Sequence, residues 1–359
     1  MFQAPLPDVA LPVFCFVCDI NPVMPSKLRL DIARWVTETQ GIFGISEFTR
    51  QELQRAHPSH AAKIHAVPIA APELKNWNPK PLAARRFDFY YPAHAGPHKN
   101  HLVLFQACVA LAQLGYRFRL ALSGQCTDGF RVNGGFTNPK TEEARRFLHE
   151  HARLLDHRVE VIGEVALPVV DTLYEDTRCV VLPSAYEGFG FPIGEAIDRG
   201  LPVICSDIPP FREQLAMFER PANVQIVPAN DAVSLAASME HFLKCAADAQ
   251  EDRKPGESLR RWTWQNTAQR CFELCQRVPR VLHRVYMASD LTNLFWRTAR
   301  VRAELRWQAD NYFTAHGGRI CWGQGSRCLM LWGIQPGACF TWKVVSASQV
   351  CSFYRPASQ

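Results

Sequence analysis

The chain has 359 residues, 47% hydrophobic and 21% charged, which is enough apolar material for two domains with their own cores and excludes a disordered chain. No run of eighteen apolar residues occurs, and the opening MFQAPLPDVALPVFCFVCD lacks a basic leader followed by an apolar stretch and a cleavage site. Neither a membrane-spanning helix nor a secretory signal is expected, and the chain is placed in the cytoplasm. The net charge of +6 is uneven: residues 276–359 carry eleven Lys or Arg against Asp290, Glu304 and Asp310, which leaves the remainder near −2.

The first third of the chain reads as strand Val13–Val17, helix Leu28–Thr39, strand Gly41–Ile45, helix Glu47–Ala56 and strand Ile64–Val67. This is too little for a complete doubly wound domain, so residues 1–68 are expected to be part of one, with a Pro/Ala/Lys-rich linker at 69–86. Residues 87–275 then alternate short apolar runs with amphipathic segments of helical length, the pattern of βαβ units and a parallel sheet. The predicted strands are Phe87–Pro92, Arg117–Ser123, Val159–Ile162, Cys179–Leu182, Pro202–Cys205 and Val224–Val227. The predicted helices are Leu102–Leu114, Lys140–Leu155, Pro168–Asp176, Pro192–Arg199, Phe211–Phe218 and Asp231–Ala247. In such a sheet a ligand belongs at the carboxyl ends of the strands.

Residues 276–359 form a basic extension rich in Trp and Cys. Helical spacing persists through Leu291–Arg306, and beyond Phe313 no secondary-structure template fits. Three readings remain for this extension: a basic helix lying on an anionic membrane, a nucleic-acid contact without a groove-reading element to support it, or a final stretch that is not a selected sequence. Its composition favours the last. The thirteen cysteines, odd in number and scattered, read as reduced thiols, with Cys179 and Cys205 inside apolar runs.

The chemistry concentrates in CVVLPSAYEGFGFPIGEAIDRGLPVICSD, Cys179 to Asp207. A buried strand empties into a loop bearing Ser184, Glu187, Gly188, Phe189 and Gly190, and a helix begins with Pro192 in its first turn, where a missing N–H costs nothing. The free N–H groups and dipole of a helix start favour an anion, and glycines let the backbone approach it. Glu187 and Glu195 are ill suited to holding a phosphate, so they are expected to face hydroxyl groups on rings to either side of it. A nucleoside-diphosphate sugar is the simplest ligand of that form. A second loop, in YYPAHAGPHKNHLVLF from Tyr90 to Phe105, follows the same strand-to-helix logic with a cation, Lys99, that can neutralise a phosphate oxygen. His94, His98 and His101 share that loop without the fixed spacing of a metal site, and no metal is expected.

PHKNH, VEVIGEVALPVVDTLYEDTRCVVLPSAYEGFGFPIGEA and CSDIPPFREQ resemble the C-terminal domain of GT-B glycosyltransferases of family 4, with the Glu-x7-Glu pattern intact at Glu187 and Glu195. The resemblance runs from about Lys63 to Cys275 and implies a retaining enzyme of α/β, GT-B architecture, with a Rossmann-like nucleotide-sugar domain preceded by an incomplete second one. It further implies that Glu187 works at the donor hexose near the reacting carbon, that Glu195 binds the ribose and that Lys99 binds the diphosphate. Gly188, Phe189 and Gly190 would present amides to sugar and phosphate, and Gly163 to Val165 would lie near the base. No cofactor or catalytic metal is implied, because Lys and backbone donors stabilise the leaving diphosphate. The acceptor would be a saccharide or a lipid-linked glycan, and the product a polysaccharide or glycolipid.

Two departures stand out. Relatives often carry an arginine six positions before the lysine, where this chain has Ala93 beside His94. Upstream, FVCDINPVMP and GIFGISEFTRQEL resemble the late part of the family's N-terminal domain, with Cys18 in place of the usual His before Asp19, the pair that would lie on the acceptor side. The glycine-rich loop and first strands that precede this motif in relatives are not seen. The chain is therefore expected to be either an enzyme or a truncated remnant that binds a sugar nucleotide without turnover.

Overall fold

A computed structural model describes residues 13–21, 26–70, 77–131, 136–218, 224–245 and 262–277, and the strand segments 321–322, 329–330, 341–345 and 350–353. The chain divides into two units, one made of Met1–Pro72 with Trp262–Gln359 and the other of Glu73–Arg261.

In the first unit the elements run β1 (Val13–Val17), α1 (Ser26–Glu38), β2 (Gly41–Gly44), α2 (Glu47–Ala56) and β3 (Ile64–Ala66). The three strands are parallel neighbours. Their core gathers Cys15, Val17, Ile32, Trp35, Val36, Ile42, Leu53 and Ile64, the inward residues of strands and helices alike. Ser46 starts α2 as its N-cap, its hydroxyl accepting from the Thr49 amide at 3.0 Å.

The second unit, built bottom-up from the same alternation, contains β4 (Phe87–Pro92), α3 (His101–Gln113), β5 (Leu120–Ser123), α4 (Pro139–Glu150), α5 (Ala152–Leu155), β6 (Val159–Gly163), α6 (Leu167–Glu175), β7 (Thr177–Leu182), α7 (Phe191–Asp198), β8 (Val203–Ser206), α8 (Pro209–Ala216), β9 (Val224–Val227) and α9 (Ala232–Cys245). All six strands pair in parallel, in the order β6-β5-β4-β7-β8-β9. Strands covered on both faces need apolar residues throughout, and Phe87, Phe89, Tyr90, Tyr91, Cys179, Val180, Val181 and Leu182 are all buried. Helix α3 is apolar around most of its circumference because it packs against both α4 and α9 as well as the sheet. The chain winds outward from β4 in one direction and from β7 in the other, so the order reverses between these two central strands. That reversal leaves a crevice at their carboxyl ends.

Three expectations meet differences. The helix predicted over Lys140–Leu155 is interrupted at His151, whose backbone leaves the helical region at φ −104° while its Nδ1 approaches the Phe147 carbonyl at 2.9 Å. The C-terminal domain expected to reach residue 275 ends earlier: α10 (Trp264–Gln276) belongs to the first unit. The reason is local. Trp262 Nε1 and Thr267 Oγ1 both donate to the Pro68 carbonyl, at 2.9 and 2.7 Å, which fastens the start of α10 to the chain leaving β3. A reciprocal cap between Thr263 and Asn266 fixes where that helix begins.

The extension, for which no template fitted, contributes β10 (Cys321–Trp322), β11 (Leu329–Met330), β12 (Thr341–Val345) and β13 (Val350–Phe353). Strand β12 lies parallel to β1, with Val13 opposite Thr341, and β13 runs antiparallel to β12. These strands are short, and β12 finds its parallel partner only at β1, far away in the sequence, so no local periodicity announces it. The helix predicted at Leu291–Arg306 lies outside the described residues.

Candidate active site

The crevice between β4 and β7 is where the two predicted loops meet. After β4 the backbone passes Ala93, whose amide donates to the Ser123 carbonyl at 2.9 Å, and makes a short 3-10 turn at Pro97–Lys99. Asn100 then adopts a left-handed conformation, φ 60°, which asparagine tolerates better than most residues, and α3 follows. After β7 the chain passes Ser184 and Glu187 to Gly190, the residue before α7. The Ala185 amide donates to the His98 carbonyl at 2.8 Å, and Asn100 Nδ2 donates to the Pro183 carbonyl at 3.1 Å and to Asn230 Oδ1 at 3.0 Å. Tyr91, buried on β4, donates its hydroxyl to the Lys99 carbonyl at 2.6 Å and meets Ser184 Oγ at 3.2 Å. The loops are therefore cross-braced by the chain's own hydrogen bonds.

Within this frame Lys99 Nζ stands 2.5 Å from Glu187 Oε1, with both side chains about nine-tenths withdrawn from solvent, 12% and 11% exposed. The His94 and His98 rings pack edge to face beside them, centroids 5.1 Å apart. Burial, with the Lys99 ammonium adding to it, pushes both imidazoles down to about 3, so they are neutral donors and acceptors at ordinary pH. His101 is different from the loop residue expected: it opens α3 and is buried against Tyr91 and Phe130. Burial pushes it down to about 3 as well, and its Nε2 has no hydrogen-bond partner among the described residues. No group of three or more His, Cys, Asp or Glu among the described residues is placed to hold a metal ion.

These three imidazoles carry a pH dependence with a definite sign. Each ionises near 6.5 in an unfolded chain but stays neutral down to about 3 in the fold. Between those values the unfolded chain binds more protons, so the stability present above 6.5 is progressively lost as pH falls toward 3. Melting temperatures followed from pH 7.5 to 5 are expected to decline. His101→Phe, which removes one such imidazole from an aromatic surrounding, should flatten the decline, with roughly 2–4 °C regained for each kcal/mol of proton penalty removed. An unchanged slope in that variant would refute the assignment.

The start of α7 follows from sterics. Gly190 has φ 88°, and a Cβ there would lie 2.4 Å from the Phe211 ring of α8. Pro192 falls in the first turn, as its missing N–H permits. Phe189 is buried, its ring edge-on to Phe191 and its carbonyl accepting from Gln214 Nε2 at 3.4 Å, so the Gly188–Gly190 backbone is held from behind. Glu195, one turn into the helix, accepts from the Tyr174 hydroxyl at 2.9 Å. Arg199 donates to the Glu195 carbonyl at 3.0 Å and to Asp171 at 2.5 Å, with its guanidinium 4.3 Å from the centre of the Tyr174 ring.

Gly163 ends β6 at φ 91°, its carbonyl accepting from the Gly124 amide at 3.0 Å, and Val165 packs partly buried beside it. The structure thus brings Lys99, Glu187, His94, His98, Ala93 and Ser184 to the crevice, with Gly188–Gly190 and Glu195 on the adjoining loop and helix. Cys18 and Asp19 lie in the other unit, at the end of β1. Cys15 and Cys18, three residues apart, are both buried.

Tyr91, Asn100, Tyr174 and Arg199 were not singled out from the sequence. The tyrosines read as packing inside apolar patterns, and Arg199 as a helix end. Asn100 did carry a signal, an asparagine between a loop lysine and a helix start.

The sheet order and the crevice loops define a class. The profile of the family described as Glycosyl transferases group 1 matches residues 75–262, and the chain belongs to that family. The fold is of the GT-B type. It is similar to Anabaena HepE crystallised with UDP and glucose, at a TM-score of 0.57 and 19% identity over 74% of this chain and 72% of that one. The same Anabaena protein with UDP-glucose gives a TM-score of 0.52 at 18% identity, over 74% of this chain and 71% of that one.

Shorter stretches match O-antigen chain mannosyltransferase B of Escherichia coli, 44% identical over 50 residues, 14% of this chain and 13% of that protein. O-antigen chain mannosyltransferase RfbU of Salmonella typhimurium is 43% identical over 61 residues, 17% of each chain. The matched stretches thus span less than a fifth of these curated relatives. No helix among the described residues is long and apolar enough to cross a membrane.

Proposed function

We propose that the chain transfers a hexose, such as mannose or glucose, from a nucleoside-diphosphate sugar to a saccharide or lipid-linked acceptor in the assembly of an O-antigen-like polysaccharide, with retention at the transferred carbon. The observation that carries this reading is the meeting of Lys99 and Glu187 at the switch point of the sheet, beside the glycine-bounded start of α7. Lys99 and the amides of Gly188 to Gly190 would take the diphosphate, Glu187 the hexose, and Glu195 the ribose. The mannosyltransferase names of the short matches and the sugar-nucleotide complexes of the structural relative agree with a hexose donor.

In this reading the leaving diphosphate is stabilised by fixed donors already in place, Lys99 and backbone N–H groups, instead of by a metal. The acceptor attacks from the face the diphosphate leaves, and the departing phosphate oxygen takes the acceptor's proton. Cys18 and Asp19 are the candidates for acceptor contact. Membrane attachment through the extension would rest on the helix at Leu291–Arg306, outside the described residues.

The test is a thermal-shift panel of nucleotide sugars followed by a turnover assay. A donor at a hundred times its dissociation constant should stabilise the fold by about 2.7 kcal/mol, or roughly 5–10 °C for a unit of this size. Glu195→Ala should abolish that shift, and its survival would remove Glu195 from the nucleotide. Release of nucleoside diphosphate with candidate acceptors in EDTA-treated buffer then separates an enzyme from a remnant: donor binding with persistent absence of release favours the remnant.

A further inference from the structure

The two loops that form the crevice, residues 93–100 and 183–190, hold one residue with a full positive charge and one with a full negative charge. They are Lys99 and Glu187, and they neutralise each other at 2.5 Å. His94 and His98 are neutral and add no charge. On these two loops a diphosphate finds one ammonium to pair with, and that ammonium is already taken.

We propose that Glu187 and a diphosphate compete for Lys99, and that this competition makes the crevice favour an intact sugar nucleotide over the bare nucleoside diphosphate. The inference rests on the donor-binding reading given above. When a diphosphate claims Lys99, the Glu187 carboxylate is left nearly buried and beside a polyanion. Stranding a charge in that way is costly, and the like-charge repulsion adds to it. A hexose attached to the diphosphate offsets both terms, since its hydroxyls donate to the carboxylate that Lys99 has vacated. A bare diphosphate brings no such donors. The leaving group of the reaction is thus the poorer ligand, and its departure restores the ion pair. Glu187 therefore sets specificity through Lys99 in addition to touching the sugar.

The experiment is calorimetric titration of the full chain with UDP and GDP and with UDP-glucose and GDP-mannose, for the parent, Glu187→Gln and Glu187→Ala. Whichever nucleotide binds, the parent should prefer the sugar form. In both variants the bare diphosphate should bind roughly tenfold more tightly, since the competing carboxylate is gone. The ratio of diphosphate to sugar-nucleotide dissociation constants should fall by about tenfold or more. Thermal melts establish that each variant is folded, and the near-isosteric Gln substitution keeps the test valid if Ala perturbs the loop. A ratio that stays within about twofold of the parent's, with nucleotide still binding, overturns the competition but leaves the donor site intact. Absence of binding by all four ligands in all three proteins overturns the donor-site reading itself, and the competition with it.

Discussion

Lys99→Met is expected to lower kcat/KM for sugar transfer by about 10²–10³, the loss typical of removing one fixed donor from a developing oxyanion. The lysine is the single cation of its loop, only 12% exposed, and set by a turn whose carbonyl is held by Tyr91. In such a partly dehydrated crevice an ammonium near a phosphate interacts far more strongly than in water. Arginine should restore only part of the activity. Its planar fork needs a wider, differently directed space than a point charge at the end of a flexible stem. The measurement is the rate of nucleoside diphosphate release, with the melting temperature taken separately because the methionine variant also leaves Glu187 unpaired. Turnover within threefold of the parent would remove Lys99 from the reaction.

Gly190→Ala should destabilise the second unit by about 2–5 kcal/mol. Roughly 1–2 kcal/mol comes from placing an alanine in the left-handed region, and about 1–3 kcal/mol from overpacking against a ring that cannot move away. Phe211 is buried beneath Gly190, and the added Cβ would stand 2.4 Å from its edge. For a unit of this size the fall in melting temperature is roughly 4–20 °C. The same change displaces the loop that presents Gly188 and Glu187, so donor-induced stabilisation should shrink in protein that remains folded. Phe211→Leu in the alanine background should recover part of the stability by opening space, and failure to do so would show that backbone strain, not contact, dominates.

The parallel sheet of the second unit was legible because each βα step carries its own signals: an apolar run, a glycine or proline, then helical spacing. Both crevice loops were legible for the same reason, since Lys99 and Glu187 each sit in a local strand-to-helix motif. Their pairing was not, because 88 positions separate them and nothing in either motif reports the other's direction. Tyr174 escaped notice likewise: its ring is buried as the helical pattern suggested, and only its hydroxyl, which reaches Glu195, has a part in the site. The boundary near residue 262 turned on two donors meeting the Pro68 carbonyl, an acceptor every residue possesses. In the extension, β12 depended on a parallel partner far away in the sequence, β1.

That last pairing bears on how the molecule is made. The second unit occupies one continuous stretch, Glu73–Arg261, and its contacts can form as soon as that stretch has left the ribosome. Strand β1 leaves the ribosome well before β12, with which it pairs at Val13 and Thr341, so that edge of β1 lacks this partner until β12 follows. An unpaired strand edge is open to association with other chains. The interval between the two strands, which spans the whole of the second unit, is thus a window in which that edge is exposed to aggregation.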